Sequence, residues 1–357
     1  MNYAVIMAGG KGTRFWPIST PERPKQLLSL FDGQTMIEAT MKRVESIIPL
    51  QNQKIVTIPE QVPLIQQHVK GLDKINFLIE PFAKNTAPCI GLAAVTLMKQ
   101  DPDAIMVVLP ADHRIDDEEQ FREVLKRAIA TVEQRDAIVT IGIKPTRPET
   151  GYGYIQYENE EISKGVHRIV TFAEKPNRDT AIRFLESGEF LWNSGIFVWS
   201  AKRIVSEIED YLPELFAALM EIMAAVGTDE EEGRVRRAYQ SIKPISIDYG
   251  VMEHTSHSYV VQGSFGWSDV GSWDEIYRIS EKNDDQNVLR GQVYTIDTHD
   301  SYIISESSVP LAVVGMTGVI VVHTDEGILV CPRNRDQEVR EVAEKVLKSR
   351  AQTEKKQ

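Results

Sequence analysis

Short runs of β-branched and other apolar residues alternate with amphipathic segments over the first part of the chain. The runs are Tyr3–Met7, Lys54–Ile58, Phe77–Ile79, Ile105–Leu109 and Ile138–Ile143, and the amphipathic segments include Met36–Ile48 and Glu119–Val132. Strands that alternate with helices require crossover connections, which predicts an α/β fold of Rossmann-like type, with a mixed, mostly parallel sheet flanked by helices. Ligands of such sheets bind beyond the carboxyl ends of the strands, so we expect loops 8–17, 80–88 and 110–114 to carry the site.

The pattern changes near residue 150. Further strands are predicted at Gly151–Tyr157, Val166–Phe172, Gly195–Trp199 and Ser258–Phe265, with helices at Ala201–Val226 and Glu230–Ser241. After Asn283, short strands with turn signals recur, and a charged helix at Asp336–Lys348 follows them. We therefore expect a large domain over residues 1–284, divided near residue 150, and a small β-rich, short β-helix-like domain over residues 285–357.

Composition narrows the classes of function. The 357 residues are 42% hydrophobic, and 52 acidic against 40 basic residues give a formal net charge of -12. No global field would draw nucleic acid or an anionic membrane to such a protein, so any phosphate must be held locally. Cys89 and Cys331 lie in apolar runs, which predicts core thiols in a reducing compartment. With no leader-like start and no run of transmembrane length, the expected location is the cytoplasm.

The loop after the first strand, GGKGTRFWP at residues 9–17, has the glycines of a phosphate-binding loop but fits neither standard pattern. The dinucleotide fingerprint needs glycine where Phe15 stands, and the P-loop needs Ser or Thr where Gly12 follows the lysine. A plain glycine turn with surface basic residues is the alternative explanation. The glycine run is longer than a simple turn requires and its neighbouring residues are specific, which favours a functional phosphate-binding loop.

Phosphate chemistry accounts for the residue types in this loop. Glycines let consecutive N–H groups point at one phosphate chain, and Lys11, Arg14 and Lys25 supply the cations that a triphosphate requires. The residues that we expect to contact the nucleotide here are Ala8, Gly9, Gly10, Gly12, Thr13, Arg14 and Lys25.

The stretch GGKGTRFWPISTPERPKQ resembles the signature of sugar-1-phosphate nucleotidyltransferases, in the variant that marks mannose-1-phosphate guanylyltransferases. The similarity continues through EPFAKNTAP (80–88), LPADH (109–113), TFAEKP (171–176), WNSGIFVW (192–199), IDYGVMEH (247–254) and WSDVGSW (267–273). It implies transfer of GMP from GTP to α-D-mannose 1-phosphate, giving GDP-mannose and pyrophosphate. It further implies a nucleotide-binding part over about 1–150 and a sugar-phosphate part over about 151–284. Longer relatives carry a phosphomannose-isomerase barrel, which we expect this chain to lack.

Two aspartates are candidates for a metal site. Asp112 follows the strand Ile105–Leu109, and Asp269 lies in WSDVG, far away in sequence. Mg²⁺ is usually bound by one or two carboxylates with substrate phosphates and waters, and aspartates from two loops would meet that need. Taken alone, each aspartate is more typical of a helix cap or a turn. The resemblance assigns Asp112 and Asp269 to catalytic Mg²⁺ or another divalent cation.

Four residues are candidates for the sugar phosphate. Lys175 could hold its phosphate and Glu174 could accept hydrogen bonds from sugar hydroxyls, although a surface ion pair is the commoner fate of such a dipeptide. The resemblance favours the first interpretation. Asn193 could both donate and accept toward vicinal hydroxyls, and Gly153 would let the backbone approach the ring.

The base requires a different set of groups. Guanine offers donors at N1 and N2 and an acceptor at O6, so a carboxylate or carbonyl together with an N–H would select it. Glu80 ends one strand, and Asn85 and Thr86 open an almost entirely apolar helix at Ala87–Met98. These three are the candidates, with a helix N-cap as the alternative for Asn85.

The sugar phosphate is already an anion, so in-line attack on the α-phosphorus of GTP requires no general base. Catalysis should then rest on positioning and charge neutralisation by Arg14, Lys25, Asp112 and Asp269.

Two alternatives stay open at this point. One is a nucleotidyltransferase for another sugar 1-phosphate or another nucleotide, because mannose rests on the resemblance alone. The other is a non-catalytic regulatory subunit, against which the joint presence of the charged residues argues. We expect a homodimer, formed through the C-terminal β-rich region.

Overall fold

The computed structural model describes residues 1–10, 12–31 and 33–354, with the backbone alone at 351, 353 and 354. The chain divides into two compact units. The first unit comprises Met1–Gly9 with Ile37–Trp267, and the second comprises Gly10–Met36 with Ser268–Gln357. The glycine-rich loop thus begins in the first unit and continues in the second.

The first unit alternates strands and helices. Its strands are β1 (Asn2–Met7), β2 (Gln53–Thr57), β3 (Phe77–Ile79), β4 (Ile105–Pro110), β5 (Arg114–Ile115), β6 (Ile138–Ile143), β7 (Tyr154–Ser163), β8 (Val166–Ala173), β9 (Phe190–Ser200) and β10 (Ser258–Gly263). Its helices are α1 (Met36–Glu45, whose first residue belongs to the second unit), α2 (Val62–His68), α3 (Thr86–Gln100), α4 (Glu118–Gln134), α5 (Arg178–Ser187), α6 (Ala201–Tyr211), α7 (Pro213–Ala225) and α8 (Glu231–Ser241).

Nine of these strands form one sheet, in the order β3-β2-β1-β4-β9-β6-β10-β8-β7. Parallel pairs join β1 to β2 and β4, β2 to β3, and β6 to β10. Antiparallel pairs join β9 to β4, β6 and β7, and β8 to β7 and β10. Strands β8 and β9 therefore run opposite to the other seven, which confirms the expected mixed, mostly parallel sheet.

The sheet is covered on both faces. The central residues of β1, β4 and β6 are buried without alternation, and α3 has an unbroken buried run from Ala87 to Leu97. The predicted helix Ala201–Val226 is wrong in one respect, because the structure has two helices separated by Leu212. Pro213 lacks a backbone N–H and cannot continue α6, but it is suited to open α7.

The second unit contains short stacked strands. They are β12 (Val288–Arg290), β13 (Val293–Ile296), β14 (Tyr302–Ser305), β15 (Leu311–Val314), β16 (Val319–Thr324) and β17 (Gly327–Pro332), with α9 (Trp273–Ile279) before them and α10 (Val339–Glu354) after them; β11 (Trp267–Ser268) bridges the sequence boundary. Parallel pairing joins β12, β14 and β16 in one sheet and β13 and β15 in another, which confirms the β-rich, β-helix-like expectation. The charged C-terminal helix begins at Val339 rather than Asp336, because Arg333–Glu338 form a 3-10 turn.

The segment after the glycine-rich loop contributes to the core of the second unit. Phe15, Ile18 and Leu28 are buried in one cluster with Trp273 and Tyr302. The Phe15 and Trp273 rings meet edge to face, with centroids 5.2 Å apart. No helix in the described part of the chain is long and apolar enough to cross a membrane.

Candidate active site

The end of β1 meets the end of β3 at the carboxyl edge of the sheet in the first unit. The Ala8 amide donates to the Val56 carbonyl (2.9 Å), and the Ala8 carbonyl accepts from Thr57 Oγ1 (2.9 Å). The Glu80 amide donates to the Thr57 carbonyl (2.9 Å). A Cβ at Gly9 would lie 3.7 Å from Glu80 Oε2, so the glycine and the carboxylate are neighbours.

Glu80 is a buried carboxyl with few partners. Only 3% of the residue is exposed, and its Oε1 accepts from the Tyr239 hydroxyl at 3.2 Å. Burial raises the pKa of Glu80 to about 7, against the opposing effect of hydrogen bonds from Tyr239 and Cys89. The group therefore changes charge near neutrality. Tyr239 is a partner that sequence reasoning missed, since nothing local marks a residue 159 positions away.

This raised pKa predicts a pH dependence of stability. Between about pH 4.5 and pH 7 the folded protein retains a proton that the unfolded chain releases, so the free energy of unfolding falls as pH rises through that window. Glu80→Gln stays neutral, and relative to it we expect the wild type to lose up to about 3 kcal/mol between about pH 5 and pH 8. Urea unfolding at both pH values measures this difference. The exposed Glu60→Gln serves as the control, and parallel profiles for wild type and Glu80→Gln would contradict the prediction.

Asn85 and Thr86 form the start of α3. Asn85 has φ 74° and caps the helix, because its Oδ1 accepts from the Thr86 amide at 2.8 Å. Thr86 Oγ1 accepts from the Ile247 amide at 2.8 Å. The capping alternative for Asn85 is thus what the structure shows. Its exposed amide nitrogen forms no hydrogen bond with any described residue.

Asp112 lies just beyond β4, next to the end of β1. The preceding residue, Ala111, donates its amide to the Met7 carbonyl at 3.1 Å. The following residue, His113, accepts at Nδ1 from Trp267 Nε1 at 3.1 Å, which fixes this part of the loop. Asp112 itself is partly exposed at the carboxyl edge.

Three of the predicted sugar-phosphate residues come together at the same edge of the sheet. Tyr154 is paired with both Ala173 and Trp192, and Trp192 is paired with Ile143, the last residue of β6. A Cβ at Gly153 would lie 2.5 Å from Glu174 Oε2 and 3.2 Å from Asn193 Cβ. The backbone N–H of Asn193 donates to the Gly153 carbonyl at 2.8 Å. Glu174 and Asn193, which are far apart in sequence, therefore both lie against Gly153.

Lys175 completes this group. Its Nζ pairs with Glu174 Oε1, and its backbone has φ 48° with the amide donating to the Tyr152 carbonyl at 3.2 Å. Burial lowers the pKa of Lys175, but the pairing with Glu174, together with the charges of Asp248 and Tyr249, outweighs burial and leaves the pKa raised. Half of the lysine side chain (53%) is exposed, against 6% for Glu174, so a charged ammonium faces outward beside a buried carboxylate.

In the second unit, Gly12 and Arg14 belong to a short turn. Gly12 has φ 62° and precedes the 3-10 turn Thr13–Phe15. Arg14 is exposed and forms no ion pair or hydrogen bond with any described residue. Phe15 is buried, so the turn is anchored while the guanidinium is accessible. Lys11 lies outside the described residues.

The structure brings Lys25 and Asp269 together within the second unit. Lys25 is buried, and its Nζ donates to the backbone carbonyl of Asp269 at 2.6 Å. A Cβ at Gly271 would lie 2.9 Å from Asp269 Oδ2, so the glycine leaves room for the carboxylate. Lys25 thus holds the loop of a candidate metal ligand, a role that no local sequence signal indicated.

The donor set can be tested against Mg²⁺. No group of three or more His, Cys, Asp or Glu side chains in the described ranges is arranged to hold a metal. Mg²⁺ is usually held by one or two carboxylates plus substrate phosphates and waters. Asp112 and Asp269 are partly exposed hard oxygen donors, so their chemistry fits this ion.

Comparison with known families decides the class. Residues 3–286 match the nucleotidyl transferase family. The chain belongs to this nucleotidyltransferase family. In addition, residues 291–346 match the mannose-phosphate isomerase/GMP-like β-helix domain.

Individual relatives of this nucleotidyltransferase agree with that assignment. The chain is 38% identical over 354 residues to the mannose-1-phosphate guanylyltransferase of Escherichia coli, which covers 96% of this chain and 73% of the relative. It is 36% identical to the enzyme of the same name from Salmonella muenchen, with coverage of 95% and 72%. A solved structure from Thermus thermophilus, described as a mannose-1-phosphate geranyltransferase, aligns with a TM-score of 0.87 at 33% identity and covers 97% of this chain and 99% of that one.

Proposed function

We propose that this nucleotidyltransferase transfers GMP from GTP to α-D-mannose 1-phosphate, giving GDP-mannose and pyrophosphate. The observation that carries the proposal is the 38% identity over 354 residues to a mannose-1-phosphate guanylyltransferase. The grouping of Gly153, Glu174 and Asn193 supports it, because it offers a close backbone approach, a carboxylate and an amide to a polyhydroxylated ligand.

The residues have distinct proposed roles. The amides of residues 9–13 and the Arg14 guanidinium hold the triphosphate, and Lys175 holds the phosphate of the sugar. Lys25 lies near the α-phosphate and fixes the Asp269 loop. A sugar-phosphate oxygen attacks the α-phosphorus in line with departing pyrophosphate, and this chain contributes positioning and positive charge rather than a general base.

Mg²⁺, or another divalent cation, is proposed as the cofactor. Asp112 and Asp269 would hold it, since carboxylates are its preferred protein ligands. When bound, the cation neutralises phosphate charge. For base recognition we propose Glu80, Asn85 and Thr86, with Glu80 facing guanine N1 and N2 in its ionised form.

A substrate panel tests the proposal. Pyrophosphate release is measured with GTP, ATP, UTP or dTTP against mannose, glucose and galactose 1-phosphates in the presence of Mg²⁺. We expect release chiefly from GTP with mannose 1-phosphate, and none above background with EDTA. Because the Thermus protein carries a geranyl name, geranyl diphosphate is included as a donor. Preference for another donor or sugar would contradict the proposal, and no release from any pair would favour a non-catalytic role.

Gly153→Ala probes the sugar-phosphate half. The added Cβ would lie 2.5 Å from Glu174 Oε2 and 3.2 Å from Asn193 Cβ, so it must displace both groups. We expect the KM for mannose 1-phosphate to rise at least about tenfold, the equivalent of about 1.4 kcal/mol, while the KM for GTP stays within about twofold. The control is Gly151→Ala, whose nearest atom is a glutamate side-chain oxygen at 3.3 Å. An unchanged KM for the sugar phosphate would remove Gly153 from the site.

The domain division and the location are also proposals. We propose residues 1–284 as the catalytic domain, with nucleotide-binding and sugar-phosphate parts meeting near residue 150, and residues 285–357 as the β-rich domain. We propose the cytoplasm as the location, in keeping with two free cysteines and no disulfide among the described residues.

We propose a homodimer formed through the second unit. Tyr294, Ile296 and Val314 are each more than 60% exposed on a two-stranded parallel sheet, where Ile296 and Val314 are paired. Exposed apolar side chains in one patch are typical of protein interfaces, and a second copy of the chain would cover them. We expect a dimer by light scattering at micromolar concentration, and a monomer for Ile296→Lys. Val170→Lys in the first unit, where Val170 is 56% exposed, is the control. A monomeric wild type would refute the proposal.

A further inference from the structure

One turn of the first unit contacts two of the sugar-phosphate residues, although none of its own residues has a role so far. Residues Asp248–Met252 form a π-helical turn within the motif IDYGVMEH. Asp248 Oδ1 accepts from Asn193 Nδ2 at 3.0 Å, and Glu253 Oε1 accepts from the Glu174 amide at 3.0 Å. Such turns are rare and frequently lie at functional sites.

The hydrogen bonds of Asn193 fix its amide in one orientation. Its Oδ1 accepts from the Gly195 amide at 3.1 Å and lies 3.1 Å from the Thr140 hydroxyl, which shares its proton with the Ile196 carbonyl. Its Nδ2 gives one of two hydrogens to Asp248. Asn193 has one N–H left for a ligand, while its oxygen already accepts within the protein, so we infer that it acts toward the sugar chiefly as a donor.

Glu174, which also lies against Gly153, offers a hydrogen-bond acceptor. Glu174 Oε2 is buried without a hydrogen-bond partner among the described residues, while Oε1 pairs with Lys175. Oε2 of Glu174 and Cβ of Asn193 both lie against the space that a Gly153 Cβ would occupy. A buried carboxylate oxygen without a donor is unfavourable, and a ligand hydroxyl would relieve it. A ligand that satisfies both side chains therefore needs one hydroxyl that accepts from Asn193 Nδ2 and one that donates to Glu174 Oε2.

Asp248 carries its carboxyl in a partly buried position. Burial raises its pKa to about 7, the neighbouring Glu174 carboxylate acts in the same direction, and Lys175 and the Asn193 bond act in the opposite direction. Removing one partner of such a buried polar group leaves the other without compensation, whereas an apolar replacement of the whole arrangement is often neutral. A carboxylate at this position is suited to orient the Asn193 side chain, from which it accepts a hydrogen bond.

We propose that Asp248 is a positioning residue for sugar recognition, which locks the Asn193 amide so that it presents a donor beside the Glu174 acceptor. The proposal rests on the proposed function, and it assigns to Asp248 part of the discrimination between sugar 1-phosphates. Without Asp248 the Asn193 nitrogen loses its only partner among the described residues, and the amide is held through its oxygen alone, so its N–H is presented to the sugar less firmly.

The test compares Asp248→Ala and Asp248→Asn with Asp210→Asn, an exposed acid at the end of α6. For Asp248→Ala we expect the KM for mannose 1-phosphate to rise about tenfold, the preference for mannose over glucose 1-phosphate to fall at least about threefold, and the KM for GTP to stay within about twofold. Asp248→Asn should restore the KM for mannose 1-phosphate to within about threefold of wild type, because an amide oxygen can still accept from Asn193.

Three results would overturn the proposal. They are an unchanged KM for mannose 1-phosphate in Asp248→Ala, an equal rise in both substrate KM values, and an Asp248→Asn variant as impaired as Asp248→Ala. The role of Asp248 can be tested separately from the proposed function by calorimetric binding of mannose 1-phosphate in the presence of an α,β-methylene analogue of GTP. Wild type that binds the sugar phosphate but releases no pyrophosphate from GTP would contradict the function alone, and the variant affinities would then decide the role of Asp248. No binding at all would refute both.

Discussion

Arg14→Ala is expected to lower kcat at least about a hundredfold, in line with the loss of one preorganised charge contact to a reacting phosphate group. The guanidinium is exposed and has no partner among the described residues, so the fold loses nothing when it is removed. Its backbone turn is held by the buried Phe15 and should persist in the variant. The effect should therefore appear in turnover and not in the melting temperature.

A matched arginine makes the Arg14 experiment specific. Arg23 belongs to the same segment, and its guanidinium pairs with Glu306 at 2.7 Å. Partly exposed pairs of this kind contribute little, so Arg23→Ala should retain turnover within about twofold. A purified, folded Arg14→Ala with a near-normal rate would refute the assigned role.

Gly12→Ala is expected to be at least as damaging, for a steric reason. Gly12 has φ 62°, and a Cβ there would lie 2.6 Å from the Lys25 amide nitrogen and 2.9 Å from Ser19 Oγ. Because the closest atom belongs to the backbone, a side-chain rotation cannot relieve the clash. The variant must displace Lys25, which holds the Asp269 carbonyl, so we expect at least about a hundredfold loss of turnover together with a lower melting temperature.

The control for Gly12→Ala separates the effect of backbone strain at positive φ from the effect of the steric clash of the added Cβ. Gly188 has a similar φ of 70°, but a Cβ there would meet no atom within 4 Å. Gly188→Ala should lose about 1 kcal/mol of stability from backbone strain and keep its activity. If Gly12→Ala behaves like Gly188→Ala, then the packing of Gly12 against Lys25 is not required for catalysis.

Periodicity predicted most of the first unit. Runs such as Phe77–Ile79 and Ile138–Ile143 agree with the observed strands at both ends, because aromatic and β-branched residues are favoured in strands. Helix ends were predicted less well. The break at Leu212 depends on Pro213, and Met36–Ile48 ends as a helix at Glu45, shortly before Pro49.

The features that the sequence did not predict are contacts between residues that lie far apart in the chain. The contact of Phe15 with Trp273, which places the segment 10–36 in the second unit, joins residues that no local pattern links. The site behaves similarly. Residue types indicated Glu80 and Asn193 as candidates, but burial against Tyr239 and the orientation imposed by Asp248 follow only from the folded chain.

Transfer of a guanylyl group to mannose 1-phosphate is tested most directly by the fate of a labelled α-phosphorus. GTP labelled with ³²P at the α-position is incubated with mannose 1-phosphate, Mg²⁺ and the protein, and the products are separated. We predict that the label appears in GDP-mannose, with unlabelled pyrophosphate released in equal amount. Label that stays in GTP, or that appears in GMP or GDP without a sugar nucleotide, would contradict guanylyl transfer.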